Sequence, residues 1–391
     1  MSRIHTALTD TLSTAAATGR TPGFVAAVWQ DGRPLYSGAF GTLHIGGTDP
    51  MREDAVFWLA SMTKALTSVA ALQLVDLGRL SLDADLGELL PPLARPQLLE
   101  GFSEDGQPRL RPARTPVTLR RLLSHTSGFG YDMWSADLGR YIEATGMPGL
   151  GTGQRAALEL PLLFDPGTDW AYGISTDWVG LAVEAVTGED LASWMHSHLL
   201  APLGMTATAF APTPDMQARH AGLSVRTPDG TLVPFELPAA PAPDFAGGGG
   251  GLHGTASDYL RFLQMLLDGG SAPGGRILKP ETVAEMQRNQ LGDVKIRKLA
   301  SAAPFLTHDL DMADGGPAEW GLCGMLHPQG GPNGRRPGSL SWAGLANTYY
   351  WVDPAERLCA VILTQMLPFA DPDCLALAAT FERAVYAGIA G

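Results

Sequence analysis

Strand patterns stand near both ends of this chain, and helical patterns fill the middle. Few folds accept that order. Residues 23–41, GFVAAVWQDGRPLYSGAFG, hold two apolar runs around Asp31-Gly32. An Asp-Gly pair supplies the positive φ angles of a tight hairpin turn. Residues 347–366, NTYYWVDPAERLCAVILTQM, predict a second hairpin turning at Asp353-Pro354, and 374–389 predicts a helix. Helical periodicity appears at 61–77, 117–123, 176–187, 190–200 and 256–267. The first twenty residues read as a short amphipathic helix. The order predicts an α+β chain: an antiparallel sheet closed by the two terminal parts and flanked by helices, with a mainly helical domain inserted. The expected division is 1–85 with 250–391 for the sheet, and 86–249 for the helical part. Pro- and Gly-rich spacers, LGELLPPLARPQ (86–97) and ELPAAPAPDFAGGGGG (236–251), mark the edges of the insertion.

Hydrophobic residues make up 45% of the 391, enough for a substantial core. The net charge of −13 argues against nucleic acid, whose phosphates attract basic surfaces. Three cysteines, Cys323, Cys359 and Cys374, lack CxxC spacing and read as buried, reduced thiols. The N-terminal residues lack the apolar run of a secretion signal, and no stretch approaches the ~20 apolar residues of a membrane span. A cytoplasmic chain with no membrane association is expected. Oligomeric state is not legible.

One segment raises a chemical question. FWLASMTKALTSVAALQLVDLG, residues 57–78, places Lys64 three residues after Ser61 at the start of an apolar helix. Residues i and i+3 share a helix face. A serine hydroxyl is a poor nucleophile until something takes its proton. A neutral lysine can do so, but a free lysine has a pKa of ~10.4, so burial must lower it. Taken alone, Ser-x-x-Lys also describes a capping serine followed by an exposed lysine. Two further stretches add to it. Tyr172, in GTDWAYGISTDWVG, precedes a helix and can pass protons if a nearby lysine lowers its pKa; alone it reads as an aromatic anchor. In GSLSWAGLANTYYW (338–351), Gly344 would let backbone approach a ligand closely, and an N–H beyond it could help hold an oxyanion; alone it is a loop before an edge strand.

Other motifs are absent or weak. There is no H-E-x-x-H, Walker A or G-x-S-x-G pattern. GGGLHG (249–254) matches G-x-G-x-x-G, but a Pro-rich stretch precedes it, so it reads as a flexible loop. The nine histidines show no metal spacing, and His125 reads as a structural, hydrogen-bonding residue.

Together, SMTK at 61–64, Tyr172 and WAG at 342–344 resemble the serine β-lactamase and penicillin-binding-protein superfamily. The likeness is to class C β-lactamases and family VIII carboxylesterases. GRLSLDADLGELLP (78–91), VTLRRLLSHTSGFG (117–130), PLGMTAT (202–208) and GGGGLHGTASDYLRF (248–262) extend it over roughly 20–366. The resemblance implies a β-lactamase-like fold with its site in the cleft between sheet and helical parts. It implies Ser61 as the acylated nucleophile, Lys64 and Tyr172 as the proton-transfer pair, and the N–H groups of Ser61 and Leu345 as the oxyanion hole. No metal or organic cofactor is implied.

Two departures set the expected substrate. Where class C enzymes carry Tyr-x-Asn, Tyr172 is followed by Gly173 and Ile174; where they carry Lys-Thr-Gly, this chain has Trp342-Ala343-Gly344. Trp-x-Gly is similar to family VIII esterases. Trp342, Gly344 and Ile174 are therefore expected to form an apolar substrate-binding wall suited to a small neutral ester. Arg335 and Arg336 could partly replace the lost cation. A short-chain carboxylesterase is the expected activity. A β-lactamase or D-amino-acid peptidase, an acyltransferase using the same acyl-enzyme, and a non-catalytic binding protein are the alternatives.

Overall fold

The computed structural model describes residues 3–237, 242–312 and 316–390. Its main sheet has seven antiparallel strands: β1 (Phe24–Gln30), β2 (Arg33–Phe40), β3 (Glu319–Trp320), β4 (Met325–His327), β5 (Ser339–Gly344), β6 (Thr348–Asp353) and β7 (Leu358–Leu363). Their order across the sheet is β3-β4-β5-β6-β7-β1-β2. The two predicted hairpins join along β1 and β7, paired from Val25↔Leu363 to Gln30↔Leu358. Asp31 and Gly32 take the expected positive φ values, 51° and 72°.

Five helices organise the rest: α1 (Arg3–Ala17), α2 (Thr63–Asp76), α3 (Ser175–Thr187), α4 (Ala256–Leu267) and α5 (Pro372–Ile389). Strand side chains alternate between faces, and both faces are covered. Phe24, Ala26, Val28, Ala360 and Ile362 pack against Leu8 and Leu12 of α1 and Leu377 and Phe381 of α5. Val25, Ala27, Cys359 and Val361 face the larger core that holds α2, α3 and α4. Every residue of α2 from Thr63 to Leu74 is buried. A helix covered on all sides is a central element, and Lys64 lies in its first turn.

Several local expectations change. The 190–200 stretch is α-helical only at Leu191–Met195 and continues as a π turn over His196–Leu200. The first spacer folds into 3-10 turns, and an unpredicted hairpin, Gln97–Phe102 with Pro108–Pro112, follows it. Residues 238–241 of the second spacer lie outside the described residues. The glycine run that ends it is not a loose connector. A Cβ on Gly248 would lie 2.9 Å from the Thr176 carbonyl and 3.0 Å from Thr67 Cγ2. Glycine is needed there because the loop threads between α2 and α3. All three cysteines are buried free thiols. Among the described residues, no helix is long and apolar enough to cross a membrane.

Candidate active site

Ser61 sits in a 3-10 turn, Ala60–Met62, that runs straight into α2. Ala60 before it has φ +45°, a conformation uncommon outside glycine. The turn is anchored by Leu59 N–H donating to Leu252 O at 2.9 Å. One turn on, Lys64 is only 3% exposed. Its Nζ lies 3.1 Å from Ser61 Oγ, 2.9 Å from Tyr131 Oη and 2.7 Å from Gly249 O. Burial lowers its pKa to about 8, with buried Asp177 acting in the opposite sense. Near that value a neutral fraction exists at ordinary pH. An ammonium can serve all three oxygens; a neutral amine keeps two donors and turns its lone pair to the third.

Tyr172 reaches the same point from the loop before α3. Its Oη accepts from Trp342 Nε1 at 2.8 Å, and it stands near enough to Ser61 for that hydroxyl to act on the phenol's pKa. Lys64 Nζ stands 4.9 Å from its ring centroid. The expectation of a lowered pKa is corrected here: burial pushes the Tyr172 phenol up. A phenolate has no solvent to stabilise it in this setting.

Tyr131 was not among the sequence candidates, although it meets Lys64 directly. It follows the SGFG stretch that the motif reading stopped at. What brings it there is close packing at glycines far apart in the chain. A Cβ on Gly128 would lie 2.5 Å from Phe164 O, and one on Gly173 would lie 2.4 Å from Gly130 Cα. The Tyr131 and Tyr172 loops are thereby pressed together, their ring centroids 5.8 Å apart.

Gly344 is required for a different reason than expected. A Cβ there would lie 2.3 Å from Leu59 O and 2.3 Å from Thr348 Oγ1. The close approach is to the protein's own Ser61 segment. Leu345 follows in the β5–β6 turn, closed by Asn347 N–H donating to Gly344 O at 3.0 Å. The Leu345 N–H takes no part in that turn bond. β5 and the Ser61 turn pack side by side, which brings the two N–H-bearing segments named from the sequence to one place.

Trp342 packs edge-on to Trp320, centroids 4.5 Å apart, and its indole N–H is directed to Tyr172. Ile174 is corrected: it is fully buried in the core at the residue preceding α3 and offers no open surface. An apolar residue at a helix start next to packed glycines folds inward. The arginines are corrected too. Arg335 pairs with Glu382 of α5 at 2.6 Å, on the sheet face away from Trp342, and Arg336 pairs with Glu356 at 2.6 Å. His125 is buried under Tyr172 with centroids 4.6 Å apart, and its Nδ1 has no hydrogen-bond partner. Its backbone carbonyl accepts from Ala171 N–H at 3.0 Å, so the residue is structural, as expected, with its hydrogen bonding carried by the main chain and its ring packed under Tyr172.

Beside this constellation opens a cavity of about 280 Å³, lined by Tyr131, Trp134, Trp170, Tyr172 and Leu299. Arg297 at its rim is paired with Asp169 at 2.6 Å, and the adjacent Lys298 with Asp309 at 2.8 Å. No metal-holding group of His, Cys, Asp or Glu occurs among the described residues.

A seven-stranded antiparallel sheet packed on helices, with a Ser-x-x-Lys turn at the head of a buried helix, is a β-lactamase-like fold. The chain belongs to the β-lactamase family, whose model matches residues 8–384. It is 36% identical over 352 residues to monacolin J acid methylbutanoyltransferase of Aspergillus terreus, covering 86% of this chain and 83% of that protein. Lovastatin esterase of Penicillium rubens is 33% identical over 394 residues, covering 96% and 97%. Unliganded simvastatin synthase from Aspergillus terreus superposes with a TM-score of 0.82 at 31% identity, covering 99% of both chains.

Proposed function

We propose that this protein is a serine carboxylesterase that forms an acyl-enzyme on Ser61 from small neutral esters. The observation that carries the reading is buried Lys64 with its Nζ 3.1 Å from Ser61 Oγ and 4.9 Å from the Tyr172 ring centroid, beside a cavity lined by Tyr131, Trp134, Trp170 and Tyr172. Ser61 Oγ bonds to the ester carbonyl carbon while its proton passes to neutral Lys64 Nζ. The carbonyl oxygen, now anionic, is held by the Ser61 and Leu345 N–H groups. The C–O bond to the alcohol then breaks, and the departing oxygen takes a proton relayed from Lys64 through Tyr172. Water then bonds to the acyl carbon while its proton passes through Tyr172 to Lys64; the bond to Ser61 Oγ breaks, Oγ takes the proton back from Lys64, and the acid leaves. Lys64 is the base because it titrates near neutrality, whereas Tyr172 stays a phenol.

A neutral ester suits the site because Trp342 supplies no cation, Arg335 and Arg336 face elsewhere, and the two cations at the cavity, Arg297 and Lys298, are paired with Asp169 and Asp309. A second reading, acyl transfer to an alcohol, is favoured by the methylbutanoyl transfer named for one relative. The test is a screen of neutral esters, amides and β-lactams against wild type and Ser61→Ala, with and without added alcohols. Free acid in the absence of alcohol, lost in Ser61→Ala, supports the esterase. New ester as the sole product supports the transferase.

A further inference from the structure

The glycine loop next to Lys64 has a second charged neighbour. Gly249 offers its C=O to Lys64 Nζ at 2.7 Å and its N–H to Asp177 Oδ1 at 2.9 Å. Asp177, on the first turn of α3, is 3% exposed, and its Oδ2 is buried without a hydrogen-bond partner. A Cβ on Gly249 would lie 2.4 Å from that oxygen, so the loop rests directly on the carboxylate.

Such a placement needs a cause. A helix N-terminus favours an acid only modestly. That is small beside the cost of burying a carboxylate with one of its oxygens unsatisfied. A buried acid is retained when a cation stands near it, and α2 presents Lys64. The titratable groups facing this unit are Lys64 from α2, His125 and Tyr131 from the segment before the cavity, and Tyr172 from the loop before α3. Burial keeps His125 and both tyrosines neutral. Burial raises the Asp177 pKa, while Lys64 and the Gly249 N–H act to keep the carboxylate ionised, which leaves Lys64 and Asp177 as the two groups here able to carry opposing charges.

We propose that Asp177 is a positioning residue that, through Gly249, holds Lys64 against Ser61 and fixes the charge Lys64 carries before substrate binds. This rests on the reading of Lys64 as the proton acceptor. Asp177 touches no substrate. Its anion favours the ammonium, which keeps all three Lys64 contacts made and the ε-amine in line with Ser61. Solvent water takes the proton of that ammonium as the pH rises through the Lys64 midpoint, and the neutral amine left in the same place accepts the Ser61 proton.

D177N keeps an oxygen for the Gly249 N–H and removes the charge. An opposite charge nearby raises a lysine pKa, so losing it lowers the value, by about one unit or more. The acid limb of kcat/KM for an aryl ester should move by that amount toward lower pH. Trace acetylation of Lys64 by acetic anhydride across pH, read by mass spectrometry against exposed Lys279, Lys295 and Lys298, should show the same fall. A purely structural role would lower Tm and leave both midpoints in place. Midpoints that stay or rise in D177N overturn the proposal. D177S is the second variant, and loss of folding in both would make Asp177 a fold-holding residue and overturn it too. The acetylation readout needs no turnover. An inactive wild type whose Lys64 midpoint still falls in D177N would remove the esterase reading and leave the Asp177 assignment standing.

Discussion

Trp342 Nε1 donates a 2.8 Å hydrogen bond to Tyr172 Oη, joining a strand of the sheet to the loop before α3. The bond occupies the one polar atom that Trp342 brings, and it fixes the phenol beside Ser61. The residue that removes the lactamase-type cation thus also orients a proposed proton carrier. Trp342→Phe keeps the ring and loses the bond. It should lower ester kcat by about 3- to 10-fold, with KM little changed. A KM-only effect would assign Trp342 to binding alone.

Ser61 is the expected covalent residue. A fluorophosphonate probe should add its mass to the Ser61 peptide. Labelling elsewhere, with full activity in Ser61→Ala, would sink the assignment.

Lys64 and Tyr172 should behave as one unit. Lys64→Ala and Tyr172→Phe are each expected to lower kcat by about 10²- to 10⁴-fold, and the double variant should be little worse. Multiplying losses would mean independent roles. Tyr131→Phe removes one charge-assisted contact of Lys64, worth ~1.5–3 kcal/mol, so a loss of about 10- to 150-fold is expected.

The pH profile follows from Lys64. Its pKa lies at about 8, and the neutral amine is the working form. Below that pH the amine is protonated and cannot take the Ser61 proton. Log kcat/KM should therefore rise with pH at unit slope and level off above about 8. A profile that falls through this region would point to the ammonium as the active form.

Esters should be preferred to β-lactams. A lactam brings a carboxylate into a site where Trp342 replaces the lysine and the nearby arginines are paired. Losing one charged hydrogen bond costs ~1.5–3 kcal/mol, about 10- to 150-fold in rate. Comparing kcat/KM for an aryl acetate and a chromogenic cephalosporin on one preparation checks this; equal efficiency would favour the lactamase reading.

Gly344→Ala should disable the site without touching a proposed catalytic side chain. The new methyl would meet Leu59 O and Thr348 Oγ1 at 2.3 Å, forcing β5 away from the Ser61 turn. Activity should fall by at least about 10²-fold, with a lowered Tm. An active, fully stable variant would show that the two segments need not touch.

Local chemistry made much of this protein legible in its sequence. Asp31-Gly32 sets a hairpin turn by itself, α4 starts and stops where its periodicity does, and Ser61 and Lys64 meet because i and i+3 share a face. Those relations span a few residues and follow from backbone geometry. What lies far apart in the chain was decided by packing. Tyr131 reaches Lys64 over 67 positions because glycines let two loops touch, and no spacing rule encodes that. The glycine run near 249 read as a loose loop, yet it is wedged between two helices and carries a Lys64 contact. Ile174 looked available for substrate from the family motif position it fills, and Arg335 from its sequence distance to Trp342. The core absorbed the first, and Glu382 on the far face of the sheet holds the second. A side chain's face depends on what its element packs against, which only the closed tertiary structure determines.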